Sequence, residues 1–399
     1  MNRRQLMQSG LGAAGLASVF RSAPLAAHQA SSSVPTASGD ALYLNPAVGA
    51  DSNPGTKTSP LRTLAEAARR VNSHNGSGPL TVVLSEGIYT VGETTLLKPE
   101  RRTFSRAGRL TLRAEVLPDD PEWHTGRMPT LIHTMPLPKT WNGRPDPLGG
   151  AADGMMIETS HVTIQGLKIL GLPVVETPKP GLIQRLYAIS RLRRDLEDLE
   201  IAQCAFLGDD LTNPNHVTII ANGNGVNVHH CIFRGLKISV VYWTGGSSGH
   251  AMRNCFCDGV YGSGVWTAGI KDDFDYRNNV IANGNYAWTY QGGASALADA
   301  GGRAGRQGGP PAPSAPRELV HYKVIDSYFA ANRRVAGSGT GARLEYQDMD
   351  PSFLEMVSTK VTDQPVVIER DQTKRNYLHP VAGSEAAKIG AGLFLKPGA

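Results

Sequence analysis

Lysine, tyrosine, histidine and aspartate side chains recur around one segment of a repeating pattern in the second half of the chain. A Lys, Tyr or His side chain can take the proton beside a carboxylate in a β-elimination, whereas a pair of carboxylates suits glycoside hydrolysis. Both residue sets occur here, and neither forms an assembled catalytic motif. The candidate proton-transfer residues are Lys237, His216, Tyr261, Lys271, Asp272 and Asp273.

Asp272 and Asp273 are also the candidate metal ligands, because carboxylate oxygens are preferred by calcium. Neighbouring side chains diverge on an extended backbone, so a solvated or calcium-binding turn is at least as good an interpretation of the two residues as a catalytic pair. Calcium is the one cofactor that the sequence suggests.

An aromatic column crosses the same repeat. Tyr242, Trp266 and Tyr290 are evenly spaced in sequence number, and Trp288 precedes the last of them by two. If they face outward from strands stacked about 4.8 Å apart, their rings form a platform that suits sugar rings. A register shifted by one residue would place them in the core instead. We predict the outward arrangement, because the inward one would crowd Trp beside Tyr.

A cationic column is the second candidate binding surface. His229, Arg253 and Arg277 occupy equivalent positions on the following strand and could hold an acidic sugar. The alternative is a solvated face on which these cations pair with Asp275 and Asp258.

The elements that must position these residues follow from an internal repeat. Five segments align at Cys204, Cys231, Cys255, Asn279 and Ser327, and the last separation is twice the one before it. Such a spacing suits one rung of a three-strand coil, and its doubling suits a rung that carries an insertion. The low-complexity stretch 292–317 is that insertion.

Each aligned position lies between two apolar ones that are five residues apart, such as Ile201 and Phe206. Strict alternation would place the two on opposite faces, so a bend between them is needed to bring both inside. The small residues then stack at the bend, which predicts buried free thiols rather than disulfides for Cys204, Cys231, Cys255 and Cys257.

Both ends of the chain carry a more specific signature. The N-terminal side has Tyr43-Leu44-Asn45-Pro46, a Gly- and Asp-containing turn at 49–56, and Glu86-Gly87-Ile88-Tyr89. The C-terminal side has Met349-Asp350-Pro351-Ser352-Phe353, Asn376-Tyr377-Leu378-His379-Pro380 and the stretch 383–392. These segments resemble the ends of proteins in the pectate-lyase-like right-handed parallel β-helix superfamily.

That resemblance implies an all-β, single-stranded right-handed parallel β-helix of three-strand rungs with an N-terminal capping helix. One apolar helical face would close the end of the core, formed by Leu61, Leu64, Ala65, Ala68 and Val71. The superfamily includes lyases, hydrolases, epimerases and non-catalytic adhesins, so the resemblance predicts the fold and leaves the chemistry open.

The stretch 1–30 resembles a twin-arginine signal peptide, with Arg3-Arg4, a Gly- and Ala-rich apolar run and small residues near Ala27 to Ala30. Residues 31–40 then form a linker, and 41–399 the β-helix domain. The apolar run is too short for a membrane span. Removing 1–30 takes the formal charge from +5 to +2, so a nucleic-acid partner is not expected.

These patterns together predict a periplasmic or secreted carbohydrate-active enzyme that uses the twin-arginine export machinery. A polysaccharide lyase acting on a uronate-containing polymer is the leading interpretation. A glycoside hydrolase on the same fold and a non-catalytic carbohydrate-binding protein are the alternatives.

Overall fold

The computed structural model describes residues 41–136, 140–141, 144–145, 151–173, 185–208, 212–213, 217–291, 319–340 and 345–395. All of them belong to one compact unit, Thr36–Ala399. The predicted signal peptide, the linker, the insertion at 292–317 and His216 lie outside the described residues.

Three long sheets, called A, B and C, receive strands in chain order, so successive turns of the chain stack into a right-handed parallel β-helix. Sheet A contains the strands Ala41–Leu44, Leu80–Leu84, Leu110–Ala114, Val162–Gln165, Leu199–Ala202, Val226–His229, Ala251–Arg253, Asp275–Arg277, Tyr322–Ile325 and Leu354–Val357. Sheet B contains Ile88–Val91, Thr130–His133, Lys168–Leu170, Ala205–Leu207, Ile232–Arg234, Phe256–Asp258, Val280–Ala282, Tyr328–Ala330 and Lys360–Thr362.

Sheet C contains Thr95–Leu97, Ala151–Ile157, Arg185–Arg191, Val217–Ala221, Ile238–Tyr242, Ser263–Thr267, Tyr286–Tyr290, Arg334–Thr340 and Glu345–Asp348. Its last strand pairs antiparallel with Arg334–Thr340, so the chain reverses direction at this edge of the sheet. Two short antiparallel pairs join Thr140–Trp141 to Arg144–Pro145 and Leu172–Pro173 to Thr212–Asn213. Among the described residues, the helices are Leu64–Ser73 and Glu385–Lys388, with 3₁₀ turns at Thr125–Arg127 and Pro351–Phe353.

The aligned positions of the sequence repeat pair as expected in sheets A and B. Val228 pairs with Met252, and Phe233 pairs with Cys257. The predicted bend is present because a left-handed residue separates the two strands in each rung, with φ of 51° at both His230 and Asn254. Asn tolerates this conformation better than most residues, which explains its recurrence at the bend.

The four cysteines are buried and free, as predicted. Cys231 Sγ donates to the carbonyl of His229 in its own rung at 3.3 Å and to Ile201 in the rung before at 3.6 Å. Cys255 repeats this arrangement. Asn279 continues it, because its side-chain amide donates a hydrogen bond to the Met252 carbonyl at 2.9 Å. Small donors at the bend therefore form a spine that joins consecutive rungs.

The N-terminal helix closes the core as expected. Thr63 caps it by accepting from the Glu66 amide. Leu61 lies just before the helix and is fully buried, whereas Ala67 rather than the half-buried Ala65 faces the core. The predicted face is thus correct except at Ala65, because the helix begins at Leu64 and rotates that position toward the edge of the buried stripe.

The C-terminal segment, residues 363–395, covers much of the outer face of sheet B. Val366, Ile368, Leu378 and Leu393 form one apolar cluster with outward-facing sheet B residues that include Ile232, Phe256 and Val280. Burying one large apolar side chain stabilises a fold by about 1.5–3 kcal/mol, so this segment contributes substantially to the stability of the folded chain. None of the described helices is long and apolar enough to cross a membrane.

Candidate functional site

The register of sheet C decides where the aromatic residues point. Tyr242 pairs with Thr267, and Thr267 pairs with Tyr290, so the first of these two rungs is longer than the second. Sheet B advances by equal steps over the same rungs, from Phe233 to Cys257 to Ile281. The additional residue therefore lies in the turn between Cys257 and Ser263, where the amides of both Gly262 and Ser263 donate to the Lys237 carbonyl.

The predicted outward aromatic column is wrong for three of its four members. Tyr242 and Trp288 are 0% exposed and Tyr290 is 5% exposed, and all three belong to the main core. One rung is a residue longer and the next a residue shorter than the even spacing in sequence number suggests. A shift of one residue moves a side chain to the other face of a strand.

Trp266 does lie on the outer face of sheet C, in a separate apolar cluster with Val241 and Ile220. Its ring contacts Trp243, with centroids 5.5 Å apart, and Tyr346 at 6.4 Å. Trp266 is only 2% exposed, and its indole Nε1 is buried without a hydrogen-bond partner. The predicted open platform is therefore replaced by one covered aromatic cluster.

Lys237 and Tyr346 meet above Gly262. A Cβ on Gly262 would lie 2.5 Å from the Lys237 carbonyl oxygen, 2.8 Å from the Tyr346 hydroxyl and 3.0 Å from Lys237 Cγ. Only glycine fits against this backbone and leaves both side chains in place. Tyr261, next to Gly262, is 47% exposed, because the longer turn pushes it outward. Two of the predicted proton-transfer residues, Lys237 and Tyr261, thus lie together, and Tyr346 joins them.

The electrostatics of this cluster are unusual for a surface lysine. Burial lowers the pKa of Lys237 to about 8, and no carboxylate of the described chain pairs with its ammonium group. Burial also raises the pKa of Tyr346, whose hydroxyl is buried without a hydrogen-bond partner. Buried polar groups normally have partners, so unpaired ones at a single place mark a position for a ligand or water.

Two neighbouring arginines share one carboxylate. Arg333 and Arg334 both contact Asp348 at 2.7 Å, and the Tyr286 hydroxyl donates to it at 2.7 Å. The Tyr286 hydrogen bond and the two guanidinium groups lower the pKa of Asp348. Asp348 is therefore a structural anion that holds the Tyr346 strand in place.

An open groove of about 710 Å³, here called the turn groove, adjoins the cluster at Tyr261. Gly235 and Gly259 line it with φ near +62° and +63°, a conformation that favours glycine. Its walls carry the Arg234–Asp258 ion pair, with Nε 3.2 Å from Oδ2, and the exposed Arg370. The groove offers a smooth glycine-lined surface with cationic groups beside an aromatic ring.

The other predicted proton-transfer residues do not join this cluster. Lys271, Asp272 and Asp273 are exposed and follow the opposite end of the strand Ser263–Thr267, which spans roughly 13 Å. Asp273 accepts a hydrogen bond from the Gly249 amide at 2.9 Å. Across the described residues, no three His, Cys, Asp or Glu side chains are grouped to hold a metal ion. Calcium binding at Asp272 and Asp273 stays a prediction.

The cationic column is present, and its two arginines share a carboxylate. His229 pairs in register with Arg253, and Arg253 with Arg277. Both arginines contact Asp275, Arg253 at 2.6 Å and Arg277 at 2.5 Å. The paired interpretation is thus confirmed for Asp275 and wrong for Asp258, which binds Arg234 on sheet B.

Sequence reasoning missed Tyr346 and Asp153. Tyr346 lies on the reversed strand, which has no counterpart in the repeat. Asp153 is on the first half of sheet C, where burial raises its pKa and its Oδ1 has no hydrogen-bond partner. Its position in an apolar strand, AADGMMI, was the only signal of its burial.

No family model matches this chain, and no curated protein does. Among solved structures, a rhamnogalacturonan lyase is similar, with 14% identity over 74% of this chain and 69% of that chain, and a TM-score of 0.41. A pectin methylesterase in complex with a hexasaccharide shares 10% identity over 82% of this chain and 90% of that chain, with a TM-score of 0.41. A lacto-N-biosidase from Eubacterium ramulus shares 10% identity over 81% of this chain, with a TM-score of 0.35, and this chain spans 54% of its length. These likenesses assign the chain to no family.

Proposed function

We propose that this protein is an exported polysaccharide lyase that cleaves a uronate-containing polymer, with Lys237 as the base. The observation that supports the proposal most is the Lys237 side chain, which lacks a counterion among the described residues and has a pKa of about 8. Its Cγ lies against Gly262, next to Tyr261, and the Tyr346 hydroxyl lies against the same glycine. A base with a pKa near the working pH has both a sizeable unprotonated fraction and enough basicity to take a proton.

In the proposed reaction, the neutral Lys237 amine takes the proton from the ring carbon beside the uronate carboxylate. The electron pair of that C–H bond forms a carbon–carbon double bond, and the bond from the adjacent carbon to the glycosidic oxygen breaks. The leaving oxygen receives a proton from a tyrosine hydroxyl, for which Tyr261 is the exposed candidate. The products are an unsaturated uronate end and a free hydroxyl.

The turn groove supplies a place for the rest of the polymer. Arg370 is exposed at its wall and can neutralise a substrate carboxylate, which makes the adjacent proton more acidic. Tyr261 lies at the junction of the groove and the lysine, so a chain bound in the groove would present a sugar to Lys237.

Lyase chemistry fits this cluster better than two-carboxylate hydrolysis. Hydrolysis needs one carboxyl group with a raised pKa near a second, ionised one. Asp348, two residues after Tyr346, is held ionised by Arg333 and Arg334. Asp153 has a raised pKa, but its strand in sheet C lies three rungs before the strand that follows Lys237.

Export by the twin-arginine route, a periplasmic or secreted location and calcium dependence belong to the same proposal. They are supported by the N-terminal sequence and by the carboxylates Asp272 and Asp273.

The test is an activity screen of the mature chain on acidic and neutral polysaccharides, with calcium or with a chelator. Absorbance of unsaturated uronates and release of reducing ends are followed together. We expect unsaturated product from an acidic polymer, and its loss in Lys237→Met but not in Lys271→Met, an exposed lysine at the far end of the strand. Reducing ends without unsaturation would indicate a hydrolase. No product with retained polymer binding would indicate a binding protein.

A further inference from the structure

The outer face of sheet B is open near its N-terminal end. There the C-terminal segment stops short of the first strands, and a groove of about 540 Å³ remains between Gln372, Tyr377 and the loop that contains Thr125–Arg127. We call it the sheet B groove. Its volume falls in the range of small-molecule sites.

Aliphatic side chains from consecutive rungs form the floor of this groove. Ile132 pairs with Leu170, and Leu170 pairs with Leu207, so the three side chains stack on one face. Ile88 is 63% exposed at the open end, and Leu378 closes the other side. The floor of the groove is thus a continuous apolar strip, whereas His124, Thr125 and Gln372 add polar groups to its walls.

One charged side chain lies within this apolar strip. Lys168 occupies the position two residues before Leu170, lines the groove and is half-buried. Among the described residues, no carboxylate pairs with its ammonium group, and burial lowers its pKa. The acidic side chains at the nearby loop are already engaged, since Glu86 and Glu122 both face Arg127, at 2.5 and 3.8 Å.

An unpaired, partly desolvated ammonium group on an apolar surface is costly, and the cost is removed by an anion that brings its own apolar body. A neutral sugar would leave the charge unpaired, and a polyanionic chain would leave the aliphatic strip uncovered. The complementary ligand carries one negative group at one end of an apolar chain.

We infer that the sheet B groove binds a small carboxylate with an apolar body, with Lys168 holding the carboxylate and Ile132, Leu170 and Leu207 covering the body. This site lies on a different sheet from Lys237, and it stands whether or not the protein is a lyase. The C-terminal segment, through Tyr377 and Leu378, forms one wall.

Titration calorimetry of the full chain with octanoate tests the inference. We expect saturable binding, weakened by about tenfold or more in Lys168→Met, because a charge-assisted hydrogen bond to the ligand is lost. Lys168→Arg should retain binding, since the cation remains. Octan-1-ol, which has the apolar body without the charge, should bind at least tenfold more weakly than octanoate.

Circular dichroism shows whether each variant is folded, and we expect Lys168→Met to be at least as stable as the parent chain. Octanoate that fails to bind the parent chain would overturn the inference. So would equal affinity of the parent and a folded Lys168→Met variant, or equal affinity of octanoate and octan-1-ol. Leu207→Asn gives an independent check, because it makes the aliphatic strip polar without introducing a counterion for Lys168, and it should also weaken binding.

Discussion

Tyr242 pairs in register with Thr267 and not with Trp266, the residue that the even spacing of the repeat would place opposite it. This one-residue offset places Tyr242 inside the core and Trp266 on the outer face. The same longer turn that causes the offset carries Tyr261 into solvent and lets Lys237 pass over Gly262. The residue added to this turn therefore shapes both the core and the candidate site.

Activity should increase with pH up to about 8 and then level off, because the unprotonated fraction of Lys237 grows until its pKa of about 8 is passed. The rate of unsaturated product formation on the best substrate, measured from pH 6 to 10, checks this. Lys237→Met should lower the rate by two or more orders of magnitude, as expected on losing a general base. A profile that falls from pH 6 upward would contradict the assignment.

Lys237 should also make stability depend on pH. Its folded-state pKa of about 8 lies below the usual 10.5, so between these values the unfolded chain binds more protons and stability rises with pH. Lys237→Met lacks the free-energy cost of keeping this partly buried ammonium group charged. We expect the variant to be more stable at pH 7 by on the order of 1 kcal/mol, and the gap to narrow toward pH 10.5. Urea unfolding of both chains at several pH values measures it, with Lys271→Met as the control.

Trp288 should behave as a core residue. It is fully buried, and its indole donates to Thr267 Oγ1 at 3.0 Å. Trp288→Ala should cost about 3–5 kcal/mol of unfolding free energy, through lost burial and a large cavity. Polymer affinity of the folded fraction should stay unchanged. If the variant has native stability but binds polymer more weakly, the result would support the outward platform that the sequence predicts.

The cysteines should be inert in the native protein. Burial raises the pKa of Cys231 well above its usual value, so the reactive thiolate is scarce. A thiol reagent should modify none of the four cysteines in the folded chain and all four in denaturant. Refolding in an oxidising buffer should recover less protein than refolding with a reductant, because any disulfide would break the spine at the bend. Equal recovery would show that the spine tolerates oxidation.

Arg375 should anchor the C-terminal segment. It donates to the carbonyl of Pro118 at 2.7 Å and of Asp120 at 3.2 Å, and its guanidinium lies over the Trp123 and Phe394 rings. Arg375→Ala should lower stability by about 1–3 kcal/mol and make residues 363–395 more sensitive to limited proteolysis. Arg370→Ala, an exposed change in the same segment, is the matched control and should leave the rate of proteolysis unchanged.

The repeat architecture could be predicted from the sequence alone. The spacing of Cys231, Cys255 and Asn279, with apolar residues on either side, was enough to predict stacked strands and the bend at sheets A and B. The prediction succeeded because each rung must bury the same positions in the same way, so the same pattern of residue types recurs along the chain. The buried thiols followed from the same logic.

Only the tertiary structure decided the register of sheet C and the partners of the outward charges. A change of one residue in one turn is invisible to a spacing count, yet it reverses which face Tyr242 and Trp266 occupy. Tyr346 approaches Gly262 from a strand that reverses direction, and Asp275 pairs with both Arg253 and Arg277. Such contacts depend on how distant segments meet in space, for which the linear order of residues carries no periodic signal.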